Sequence, residues 1–241
     1  MKGSSFKVEK LIWPSDRPPS LVGNRNDGLF ILGKVELLQH DLLALFCSIK
    51  CPGNVIIRTF DLVRAMREVG IPIIGGFHTP MERECLDILL RGSQPIVICP
   101  ARGLERLRPP RKVRDGIETG RILLVSPFGP NYRRATAELA EQRNRLVAAL
   151  ASAAFISHAA PGGKTEALCR EIIAMRKPLF TVDAPENANL LALGAKALAV
   201  EDVSVLREQG AQQSKPDGGG AVTRRQPAAS ASATGSARNR R

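Results

Sequence analysis

The chain has 241 residues, 44% of them hydrophobic, which suffices for one domain with a sizeable core but scarcely for two. Its net charge of +12 and pI near 10.1 draw polyanions to the surface, so nucleic acid is the first partner to consider and an anionic membrane surface the second. No apolar run reaches the roughly 20 residues of a membrane span, and the polar start Met1–Lys10 lacks a signal-peptide core. The five cysteines are scattered through apolar stretches and read as small core residues, not as a disulfide framework. A cytoplasmic protein with no membrane partner is therefore expected. Aromatic residues make up only 4%, which argues against binding along an extended stacking platform.

Residues 1–35 carry Pro14, Pro18 and Pro19, then Gly23, Asn24 and Asn26, and read as an extended arm. Residues 36–203 form the expected domain. Within it, short apolar runs at Leu42–Cys47, Ile71–Gly75, Pro95–Cys99, Ile122–Ser126, Ala154–Ser157 and Leu179–Val182 have the near-continuous character of parallel strands covered on both faces. Between them, and after the last, lie Val55–Val69, Pro80–Arg91, Pro110–Thr119, Arg133–Ala151, Lys164–Met175 and Asn187–Leu193, long enough for helices. Asn54 is expected to cap the first and Gly70 to end it. This alternation predicts an α/β, doubly wound, mostly parallel sheet of about six strands with helices on both faces. Residues 204–241, rich in Ala, Ser, Gly and Gln and ending in Arg238-Asn-Arg-Arg241, are expected to be a disordered basic tail.

In such sheets, ligands bind beyond the carboxyl ends of the strands. The sharpest candidate there is His158-Ala-Ala-Pro-Gly-Gly-Lys-Thr-Glu166, between a strand and a helix. Gly162 and Gly163 would turn backbone N–H groups inward, the helix start would add its positive end with Thr165, and Lys164 a full charge, which together suit a phosphate. The plainer reading is a Gly-rich turn without a ligand. Gly163-Lys164-Thr165 also ends like a triphosphate-binding loop, but His158 stands where that motif needs its first glycine.

A second feature is Arg143, which falls near the middle of the apolar stripe Leu139, Ala140, Leu146, Val147 and Leu150. An arginine facing a core needs a partner. A buried acid, a stem stretched to the rim, or a phosphate held bidentately all meet that need. Asn144, beside it, would orient the phosphate or cap a loop. The third stretch, Gly75-Gly-Phe-His-Thr-Pro-Met-Glu82, offers an anion pocket in which Gly76 and the Thr79 amide donate, with His78 more simply a loop histidine than a base. The fourth, Arg102 to Arg114, holds six basic residues against one acid and begins in a crevice loop, and Arg133 and Arg134 add a smaller cluster. A solvated face is the usual meaning of such a run, and a track for a polyanion the functional one. Cys47 and Cys51 lack the second ligand pair of a zinc site. No nucleophile–base arrangement supports a catalytic role, and no cofactor is expected.

The order of these features resembles the DNA-processing protein A (DprA/Smf) family over roughly Leu42–Ala195. Gly75-Gly-Phe-His-Thr-Pro-Met stands where the family has a Gly-rich loop after its second strand. Arg143-Asn144-Arg145 matches the family's Arg-Asn-Arg signature letter for letter. Ala160-Pro-Gly-Gly-Lys-Thr165 corresponds to the small-residue loop that cups phosphate, and Pro178-Leu-Phe-Thr-Val182 to the last central strand. The resemblance implies a Rossmann-like domain whose pocket and basic rim bind single-stranded DNA. It further implies DNA recombination and natural transformation, with a RecA-type recombinase as partner; homodimer formation is left open. The chain departs from the family in carrying Phe77, His78 and Met81 in place of a small-residue run, and no counterpart of the family's flanking helical and winged-helix domains is recognised. Pro161-Gly-Gly-Lys-Thr-Glu166 also looks like a shortened motif of the lysine decarboxylase-like phosphoribohydrolases. That likeness implies an alternative, cleavage of a nucleoside monophosphate with Glu166 near the ribose. A nucleotide-sensing module without chemistry is a third reading. Net charge, the Arg-Asn-Arg match and the basic loop favour DNA.

Overall fold

All six apolar runs form strands in the computed structural model of the chain, which describes residues 7–11, 28–204 and 206. In chain order the elements are β1 (Glu9–Leu11), β2 (Leu29–Leu32), β3 (Leu43–Phe46), α1 (Gly53–Val69), β4 (Ile73–Gly75), α2 (Pro80–Leu89) and β5 (Ile96–Ile98). There follow α3 (Arg111–Glu118), β6 (Ile122–Ser126), α4 (Ala137–Leu150), β7 (Ala153–Ile156), α5 (Lys164–Ala174), β8 (Leu179–Val182), α6 (Ala188–Ala192) and β9 (Lys196–Leu198). Among the described residues one sheet runs in the order β1-β2-β6-β5-β4-β3-β7-β8-β9. The seven strands from β6 to β9 in that order pair in parallel, whereas β1 with β2 and β2 with β6 are antiparallel.

The sheet therefore has nine strands where six were expected. The segment read as an extended arm supplies β1 and β2, and three-residue β9 extends the opposite edge. Too short to show a periodic pattern, these edge strands are stabilised by pairing with a neighbour already in place. The proline-rich part of the arm lies outside the described residues, as does the expected C-terminal tail apart from residues 204 and 206.

Side chains alternate across the sheet. Leu43 and Leu45 of β3 join one apolar cluster with Leu62 and Met66 of α1, Cys85 and Leu89 of α2, and Val113 and Ile117 of α3. Ala44 and Phe46 join the other, with Leu146 and Val147 of α4, Cys169 and Ile172 of α5, and Leu190 of α6. The chain steps outward from β3 through β4 and β5 to β6, then returns through α4 to place β7 on the far side of β3. Strand order reverses there, so the loops after β3 and β7 leave toward opposite faces and open a crevice.

Helix ends follow local chemistry. Thr79 and Glu82 form a reciprocal capping box at α2, with Pro80 in its first turn. Thr136 Oγ1 accepts the Leu139 N–H at α4. Lys177 donates to the carbonyls of Ala148, Ala149 and Ala151 at distances of 2.6–2.7 Å, satisfying the C-terminal end of α4. Asn54 does not cap α1. That helix begins at Gly53 after Pro52, whose φ of −62° leads directly into it, and Asn54 Nδ2 instead donates to Glu186 Oε1 at 2.8 Å. Gly70 ends α1 as expected, at φ +81°, its N–H meeting the Met66 and Arg67 carbonyls. No atom would obstruct a Cβ there, so only the left-handed conformation would resist a side chain. Gly70→Ala should cost about 1–2 kcal/mol, read as a lower urea midpoint with an unchanged m-value. An unchanged midpoint would contradict that account of the helix end.

Candidate functional site

At the reversal point lies a cavity of about 550 Å³. Phe46 and Cys47, where β3 ends, line it, with Ile49 in the following loop. His78 and Thr79 contribute from the β4–α2 connection, Glu82 from the first turn of α2, Thr136, Ala140, Glu141, Arg143, Asn144 and Arg145 from α4 and the residue before it, and Lys164, Thr165 and Leu168 from the start of α5. Seven of the twelve residues singled out in the sequence thus share one cavity wall: His78, Thr79, Arg143, Asn144, Arg145, Lys164 and Thr165.

Arg143 is 3% exposed. Its Nη1 donates to the Cys99 carbonyl at 2.8 Å and its Nε to Asn144 Oδ1 at 2.7 Å. Among the described residues no carboxylate pairs with it, which disposes of the buried-acid explanation. Asn144 acts on the guanidinium directly and fixes its plane. Gly76 lies against the same group: a Cβ there would stand 1.7 Å from Nη1 and 2.0 Å from Cζ. Hydrogen is therefore the only side chain at this position that leaves room for the guanidinium. Gly75, the last residue of β4, is buried and outside the lining.

The other two cations of the wall are already paired. Lys164 Nζ forms a salt bridge with Glu141 Oε1, and this carboxylate raises the ammonium above the ordinary lysine value. Arg145 grips Glu171 with Nε and Nη2 at 2.9–3.2 Å, tying α4 to α5. The lining thus carries three cations, Arg143, Arg145 and Lys164, against three carboxylates, Glu82, Glu141 and Glu171. Both ion pairs are partly exposed, Lys164 with a side chain 72% accessible, so neither is strongly held against a competing anion.

Two expected backbone donors are committed elsewhere. The Gly162 N–H donates to Glu166 Oε2 at 3.1 Å and the Gly163 N–H to the Ala160 carbonyl at 2.9 Å, so neither forms the open nest expected of them. The Thr79 N–H is likewise taken, by Glu82. What stays open at α5 is its first turn: Gly163 caps it without a side-chain bond, and the Lys164 and Thr165 amides precede the first intrahelical partner. The helix's positive end thus faces the cavity. Arg102 does not line the cavity; its carbonyl accepts Ser126 Oγ at 2.8 Å.

Several supporting groups escaped the sequence reading. Buried Glu82 accepts the N–H groups of Cys47, His78 and Thr79, binding the β3 and β4 loops together. The Thr-Pro-Met-Glu spacing of a capping box was the signal for part of this role. Asn187, fully buried, donates to the Ser157 and Val182 carbonyls and Thr181 Oγ1, and its Oδ1 meets His158 Nδ1 at 2.9 Å. His158 is therefore a buried structural histidine whose Nδ1 carries the proton. The neighbouring thiols of Cys47 and Cys51 act on one another, which raises the pKa of Cys47 and lowers that of Cys51.

Glu166 receives Asn189 Nδ2 at 2.7 Å, Arg170 Nη2 at 2.6 Å and the Gly162 N–H, and these bonds hold its carboxyl below the ordinary value. A depressed folded-state pKa contributes stability that is present above the usual carboxylate range and lost as pH falls through the folded value. Glu166→Gln should therefore lower the melting temperature at neutral pH and flatten its decline in acid. An unchanged acid limb would remove Glu166 from this role.

The fold matches those of known proteins. The family model for DNA recombination-mediator protein A matches residues 16–208. DNA processing protein A from Helicobacter pylori, described as having a unique single-stranded DNA binding mode, superposes with a TM-score of 0.67 at 18% identity, covering 86% of this chain and 98% of its own. DprA from Streptococcus pneumoniae superposes with a TM-score of 0.66 at 18% identity, over 84% of this chain and 74% of its own. No curated protein matches the chain in sequence. With four-fifths of its length matched by the family model, the chain belongs to the DNA recombination-mediator protein A family.

Proposed function

We propose that the chain binds single-stranded DNA, with a backbone phosphate held in the crevice between the ends of β3 and β7. The observation that carries this reading is Arg143: a buried guanidinium oriented by Asn144, free of any carboxylate among the described residues, at the wall of a cavity that the first turn of α5 also faces. Such a group offers charge-assisted hydrogen bonds to a phosphate at little cost in reorganisation. A phosphate reaching the first turn of α5 would compete with Glu141 for Lys164, an exchange that an exposed ion pair resists weakly. Kinship extends the proposal to DNA uptake and recombination, with a RecA-type recombinase receiving the strand. No helix among the described residues is long and apolar enough to cross a membrane.

Phosphoribohydrolase chemistry would require Glu166 to meet a ribose. Its carboxylate oxygens are instead taken by Asn189, Arg170 and the Gly162 amide, so the enzymatic reading has no free carboxylate at the matching position.

Three variants test the phosphate site, with thermal melts to confirm folding. Arg143→Ala should weaken binding of a thymidine oligomer by about 10- to 100-fold, as loss of a charge-assisted hydrogen bond does. Gly76→Ala should approach that loss by pushing the guanidinium aside. Glu141→Gln should strengthen binding a few-fold by releasing Lys164. The logarithm of affinity should fall against the logarithm of salt with a slope of about −0.7 per phosphate neutralised. Unchanged affinity in both Arg143→Ala and Gly76→Ala, or an affinity indifferent to salt, would refute the site.

A further inference from the structure

Among the described phenylalanines, tyrosines and tryptophans one ring is exposed: Tyr132, 44% accessible, in the loop between β6 and α4. Buried Phe128 backs it, with ring centroids 5.4 Å apart and planes inclined at 49°. The loop is fixed at several points. The Tyr132 N–H donates to the Gly129 carbonyl at 3.1 Å, and the Tyr132 carbonyl accepts the Gly103 N–H at 2.8 Å. Ser126 Oγ accepts the Phe128 N–H at 3.1 Å and donates to the Arg102 carbonyl. An exposed ring on a loop so held loses little freedom when a flat partner settles on it.

Its neighbours narrow the kind of partner. Arg133 and Arg134 follow directly and are exposed, as is Arg106 in the loop laced to Tyr132 through Gly103; Glu105 is the acid of that loop. Exposed arginines on the ring's own loop and on the loop laced to it fit a base joined to phosphates better than an apolar protein surface. Ala135, three residues on, lines the cavity that holds Arg143. At no more than about 3.6 Å per residue, the ring's backbone is within about 11 Å of the cavity wall, so one strand can reach both.

We propose that Tyr132 is a base-stacking platform beside the phosphate cavity, on whose outer face a base of a single strand lies while Arg133 and Arg134 hold adjoining phosphates. The inference rests on the DNA reading of the cavity and adds to it a source of strand selectivity. In a duplex every base already has stacked neighbours, so the ring is of use only to an unpaired strand.

The test compares a thymidine oligomer with an abasic sugar–phosphate oligomer of equal length, using the full chain and the variants Tyr132→Leu and Tyr132→Trp. Tyr132→Leu should weaken binding of the thymidine oligomer about five- to a hundredfold, the range of one lost base stack. Affinity for the abasic oligomer should stay within twofold, and Tyr132→Trp should retain wild-type affinity for both. Equal thymidine-oligomer affinity in wild type and Tyr132→Leu would overturn the stacking role while leaving the DNA reading in place. Equal losses on both oligomers would also overturn it, since the ring would then serve only to shape the loop. Failure of the wild-type chain to bind either oligomer would overturn the DNA reading and the stacking role together.

Discussion

A guanidinium is costly to bury, and Arg143 is buried where three unrelated parts of the chain meet. The end of β5 supplies an acceptor through the Cys99 carbonyl, α4 supplies Asn144, and the loop after β4 supplies only the space left by the missing side chain of Gly76. These parts converge because α4 must carry the chain from the β6 side of the sheet back across to β7. The reversal that opens the crevice is therefore also what places Arg143 in it. Glu82 supports the same corner by gathering three backbone N–H groups from the loops after β3 and β4, so its carboxylate acts as a fastening within the wall.

Charge is distributed in a way that bears on affinity. The excess of +12 does not reside in the cavity, where cations and carboxylates balance. Part of it is carried by exposed residues, among them Arg106, Arg108, Arg111, Lys112, Arg114, Arg133 and Arg134. An exposed basic surface of that kind attracts any polyanion and raises the rate of encounter, without distinguishing one strand from two. On the proposed reading, the oriented guanidinium and the open first turn of α5 fix a phosphate, and discrimination falls to the ring held on a laced loop.

Much of the fold was legible because the central strands are buried on both faces and so read as unbroken apolar runs, each followed by a helix-length segment. Residues 29–32 were not legible as a strand. Leu29–Leu32 is only four residues long and lies between glycines in a stretch full of turn formers, and its strand character comes from pairing with β6. For the site, helical periodicity placed Arg143 on the buried stripe, and that position is where the structure has it. Periodicity could not reveal that Glu166 takes the Gly162 amide, that Glu141 takes Lys164, or that Glu82 takes the Thr79 amide. The first and last of these are local in sequence, yet the same spacings serve a helix start and an anion loop equally well. The Glu141–Lys164 pair depends on how α4 and α5 come together.

The most direct test of the account is the binding of single- and double-stranded oligonucleotides of one sequence, measured by fluorescence anisotropy at two salt concentrations with a nucleoside monophosphate as competitor. The account predicts tighter binding of the single strand, weakening as salt rises, with little displacement by the mononucleotide. Binding of the mononucleotide without binding of either oligonucleotide would contradict it and would make the crevice a small-molecule site.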